Sequence, residues 1–93
     1  MTTLRLSDFG ATFATRQRVD EIGAALQAGD RITIDFAGVK VASPSFVDEL
    51  LGLVSEAFSQ ADIAGASDDI GALIERVIAR RDLQQRFRLT AAA

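Results

Sequence analysis

Apolar residues recur along this chain with two alternating periods, one suited to strands and the other to helices. Over residues 31–36, Ile32, Ile34 and Phe36 alternate with Thr33 and Asp35. That alternation predicts a strand with one polar face and Asp35 at its carboxyl end. From 44 to about 60 the period lengthens: Val47, Leu50, Leu51, Val54, Ala57 and Phe58 fall on one side of a helix with a broad apolar face. Ser43 precedes this helix as a cap, and Pro44 takes the first helical position, where its missing N–H has no partner to lose.

The same reading places a short strand at 2–6 and a loop at 7–14 in which Phe13 turns toward the core. Thr15 caps a helix running to about residue 28, with Val19, Ile22 and Leu26 inward and Gly29-Asp30 closing it. Residues 62–66 form a weak third strand, where Gly65 predicts a close backbone approach. Ser67 caps a third helix with Asp68 and Asp69 in its first turn and Ile70, Leu73, Ile74, Val77 and Ile78 on its inner face. After Arg81 the phase slips, and residues 82–90 read equally as a short helix or a return strand. Residues 91–93 are expected to fray. The order β-α-β-α-β-α predicts a single α/β domain over residues 1–90. A small, mainly parallel sheet of three to four strands packs with about three helices, the second of them central.

Composition narrows the chemistry. At 93 residues, 48% hydrophobic and 25% charged, the chain reads as one globular domain. It has no cysteine, which excludes disulfides and thiolate chemistry, and no histidine, which removes the commonest general base and metal ligand. No apolar run approaches the ~20 residues of a membrane span, and MTTLRLSDFG has no signal-peptide pattern, so a cytoplasmic protein without a membrane partner is expected.

Charge is unevenly spread: up to Glu75 there are twelve acidic residues against five basic, and from Arg76 onward five arginines against Asp82. Such a basic end either docks an acidic partner or complements a helix C-terminus and is otherwise solvated, the second being the plainer reading. Nucleic acid is not expected, because aromatic stacking residues are not interleaved with the arginines in the manner of a nucleic-acid site.

Asp35, Asp48 and Glu49 form the main carboxylate set. Asp48 and Glu49 point about 100° apart on a helix. The structural role assigned to them is loop bonding by Asp35 and dipole complementation by the other two. Ser43 and Ser45 lack a histidine to activate them, and Lys40, the sole lysine, sits in a loop. An anion at this helix start, bound or attached to serine, would nonetheless be stabilised. The seven glycines match neither a dinucleotide fingerprint nor a P-loop, and Gly23, Gly52 and Gly71 point to close packing of helices. No metal, cofactor or enzymatic activity is expected.

The segment DFAGVKVASPSFVDELL resembles the signature of STAS-type domains, the fold of bacterial anti-sigma factor antagonists. It is more similar still to the small bacterial STAS-like family of uncharacterised function, through Thr15-Arg16, Asp35-Phe36, Ser45-Phe46-Val47-Asp48-Glu49 and an aliphatic last helix ending in arginines. The resemblance implies a non-enzymatic signalling module. Its expected partner is a histidine-kinase-like ATPase or anti-sigma-type protein, with self-association left open and an anion, nucleotide or lipid receptor as the alternative. It carries a partner surface onto Asp35, Gly38, Val39, Ser43, Pro44, Ser45, Phe46, Asp48 and Glu49, together with the exposed face of the second helix. Pro44 stands where the family's phosphorylated serine would be, so the usual phosphoswitch has no hydroxyl there. Ser45 is the remaining candidate phosphoacceptor.

Overall fold

A computed structural model describes residues 2–90. Four strands, β1 (Thr2–Arg5), β3 (Gly29–Asp35), β5 (Phe58–Ala64) and β6 (Phe87–Leu89), form one sheet in the order β1-β3-β5-β6, every pair parallel. The helices α1 (Arg18–Ala24), α2 (Pro44–Ala57) and α3 (Asp68–Arg80) connect them. Because strand order advances in one direction, right-handed crossovers place all three helices on one face. α2 packs against α1, α3 and β5, so it is the central helix. A parallel pair β2 (Thr12–Phe13) and β4 (Val41–Ala42) lies outside the main sheet.

Alternation decides which sheet face is dry. Ile32, Ile34, Ala61 and Ile63 are buried toward the helices, while Arg31, Thr33, Gln60 and Asp62 occupy the other face. Phe46, Val47, Leu50, Leu51 and Val54 of α2 are fully buried against this layer. Phe13 joins them from β2, its ring centroid 4.7 Å from that of Phe46, and the Arg18 guanidinium lies over the Phe13 ring at 5.0 Å. Burial of large apolar side chains, each worth about 1.5–3 kcal/mol, holds the layers together.

Several boundaries differ from the sequence reading, each for a tertiary reason. α1 is only Arg18–Ala24; Thr15 contributes its carbonyl to a turn at Arg18 rather than a side-chain cap. Gly29 and Asp30 belong to β3 instead of closing the helix, because pairing of Gly29 with Phe58 extends the ladder back to them. α2 ends at Ala57, and β5 starts at Phe58 rather than at Asp62. Phe58 fits both the helix face and the buried end of a strand, and sheet pairing settles the competition. The 7–14 segment holds a 3₁₀ turn (Leu6–Phe9) and β2, and residues 82–90 supply the return strand β6. α3 ends at Arg80, with Arg81 as its cap, because Asp82 takes a left-handed conformation (φ 58°), the role usually given to glycine. The expected fraying of residues 91–93 lies outside the described residues. No described helix is long and apolar enough to cross a membrane.

Candidate functional site

The carboxyl end of β3, the 36–45 loop and the start of α2 come together as the sequence pattern requires. Asp35, the last residue of β3, accepts a hydrogen bond on Oδ1 from Ala37 N–H at 2.9 Å, which folds the chain back at the strand end. Phe36 N–H continues the ladder to the Ala64 carbonyl at 2.8 Å. Gly38 then adopts φ 84°, a conformation that disfavours side chains, and Val39 tucks into the core. β4 is tied to β2 through Lys40 and Ser43 N–H groups, which donate to Ala11 and Phe13 carbonyls at 2.8 and 2.9 Å. The Ser43 hydroxyl accepts from Phe46 N–H at 3.1 Å, so the predicted cap forms.

A second support comes from the end of β5. Gly65 has φ 75°, and a Cβ there would meet Ala37 N at 2.7 Å and Asp35 Oδ1 at 2.8 Å. Close backbone approach, inferred from this glycine, is therefore a property of the site itself.

The residues proposed to meet a partner divide between surface and core. Gly38, Pro44 and Ser45 are exposed, and Asp35, Ser43, Asp48 and Glu49 are half-buried. Val39 and Phe46 are buried, so their part is structural, a correction imposed by packing. The apolar face of α2 is likewise consumed by the core and offers no docking stripe. Val41 on β4, at 49% exposure, is the exposed large hydrophobic side chain among the described residues.

Asp48 also differs from expectation. It lies beyond the first turn of α2 and pairs with α3, accepting from Arg81 Nε at 2.9 Å and Nη2 at 3.1 Å, with Arg80 at 3.5 Å. The Arg81 guanidinium lies against Gly52, where a Cβ would come within 3.0 Å of it. Gly52 thus makes room for the clamp joining α2 to α3. The Arg81 hydrogen bonds hold the Asp48 carboxyl below its ordinary range, outweighing its partial burial. The unfolded chain binds this proton more readily, so the clamp stabilises at neutral pH and is lost as pH falls through the depressed value. Thermal melts of Asp48→Asn should therefore show a smaller loss of stability on acidification than wild type.

Glu49 lines a groove on the other side of the clamp, with Asp20, Leu53, Glu56 and the Arg81 guanidinium itself. Ser45, Pro44 and Asp48 line a cavity of about 320 Å³ with Arg16 and Arg80. Asp35, Asp48 and Glu49 do not converge, and no metal-binding group of three such side chains exists among the described residues. Arg18 escaped the sequence reading: it donates to the Phe9 carbonyl and to Glu21 Oε2 at 2.7 Å while covering Phe13. Its position, one residue pair after Thr15-Arg16 and just before an apolar helix face, was the available signal.

Comparisons with curated proteins and with solved structures returned no match. A family model described as a STAS-like domain of unknown function (DUF4325) matches residues 19–65. That stretch contains β3, the 36–45 loop, α2 and β5, the elements that build the site just described. By this match over half its length, the chain belongs to the STAS-like family.

Proposed function

We propose that this STAS-like domain is a non-enzymatic regulatory module, similar in role to anti-sigma factor antagonists, that docks a histidine-kinase-like ATPase. The contact surface is the 36–45 loop with the amino end of α2. The observation that carries the reading is Val41, an exposed apolar side chain on a loop otherwise fastened by Asp35, Gly65 and the β2–β4 pair. A fixed backbone presenting an apolar side chain gains by burying it and loses little conformational entropy on docking. Pro44 cannot accept a phosphate, so control of the complex rests with the nucleotide state of the partner. A coupling of ~1–3 kcal/mol between nucleotide and domain binding is expected for such control.

Calorimetric titration of wild type and Val41→Asp with the histidine-kinase-like ATPase of the same genome tests this reading. The variant should lose at least about tenfold in affinity, because it puts an unpaired carboxylate into the contact, with its melting temperature unchanged. Equal affinity would remove the loop as the contact.

A second reading rests on the cavity at Ser45. Arg16 and Arg80 line it with Asp48 beside the α2 amino end, where the helix dipole and the Ser45 N–H favour an anion. A small anion, nucleotide or lipid headgroup is the ligand class that reading requires.

A further inference from the structure

The side of the sheet away from the helices carries a site of its own. Parallel sheets are ordinarily covered on both faces, yet β1, β3, β5 and β6 have helices on one only. Register places Arg31 beside Gln60 on neighbouring strands, and Asp62 beside Arg88. Around them, with Gln84, Gln85 and Arg86 from the turn before β6, lies a concavity of about 200 Å³.

Packing explains only one of its three arginines. Arg86 donates to the Ser55, Phe58 and Ser59 carbonyls and so closes the C-terminus of α2. Arg31 donates to Gln60 Oε1 at 2.7 Å, an exposed contact between side chains of the same cleft. Arg88 is exposed, and among the described residues neither Arg31 nor Arg88 has a carboxylate within ion-pair distance. Among the described residues Asp62 is the single acid lining the cleft. A chain with net charge −3 thus gathers three cations at one concave place.

We propose that this cleft binds an acidic peptide segment of a protein partner. Guanidinium groups offer paired donors to carboxylates, and the three glutamine amides can satisfy a peptide backbone. Asp62 would face a backbone N–H or a lone basic residue of the same segment. Nucleic acid fits less well, since the described residues give the cleft no exposed aromatic surface for base stacking.

The test is a ¹H–¹⁵N spectral titration of the full chain with three probes: an eight-residue Glu-rich peptide, a Lys-rich peptide of equal length, and oligo-dT. The acidic peptide should shift the amides of 60–62 and 84–88, with affinity falling at least tenfold in Arg31→Gln/Arg88→Gln. A matched melting temperature for that variant shows that the loss is one of binding. No shift, shifts that survive the double substitution, or a stronger response to either other probe at these amides would overturn the proposal. Shifts at 37–45 instead would locate the acidic segment at the α2 end and also overturn it.

Discussion

Gly65→Ala will destabilise the domain and release the 36–45 loop together. The methyl group would sit 2.7 Å from Ala37 N and 2.8 Å from Asp35 Oδ1, distances that force backbone or carboxylate to move. The positive φ of 75° adds strain that glycine avoids. Strain in that region costs about 1–2 kcal/mol, and overpacking typically about 1–3 kcal/mol more. A combined loss of about 2–5 kcal/mol lowers Tm by roughly 10 °C or more in a domain of this size. Hydrogen exchange on the folded fraction should show that the Ala37 amide, which donates to Asp35, loses protection first. A variant that melts normally with this amide still protected would mean that the β5 end does not hold the loop.

Phe46→Ala should be more damaging still, with a different signature. Phe46 is fully buried, stacks on Phe13, and its own N–H is the one received by the Ser43 cap. Removing a buried phenylalanine ring typically costs about 3–5 kcal/mol, against a total of about 5–14 kcal/mol for a chain of this length. Loss should appear as a lower denaturant midpoint with α2, α1 and the β2–β4 pair unfolding together. Phe46→Leu, which retains most of the volume, should recover the greater part of it. If Phe46→Ala left the midpoint unchanged, the aromatic stack would not be part of the core.

Sequence alone disclosed the elements whose signals are local. The strand ending at Asp35 announced itself by alternation, and α2 and α3 by Ser43-Pro44 and Ser67, whose hydroxyls do accept from residues three further on. Gly23 was readable as a close helix contact, and a Cβ there would indeed meet Leu53 at 3.1 Å. What stayed hidden depends on partners distant in the chain. The start of β5 required knowing that Phe58 pairs with Gly29, and β6 became a strand only because β5 offers an edge at Ala61–Ile63. Arg81 and Asp48 are 33 residues apart, so neither spacing nor composition could join them. Gly52 was the one local hint, since a glycine inside an otherwise strong helix implies that something lies against it. Val41 was passed over for a related reason: a two-residue strand has too little alternation to show which side chain faces out.

Docking through the loop is most directly tested by ¹H–¹⁵N spectra of the labelled domain, recorded with the unlabelled histidine-kinase-like ATPase in its ADP state and with a non-hydrolysable ATP analogue. The account predicts that the amides of 37–45 and the first turn of α2 respond, that the response differs between the two nucleotides, and that Val41→Asp abolishes it. Binding that leaves those amides unmoved, or no binding in either nucleotide state, would contradict it.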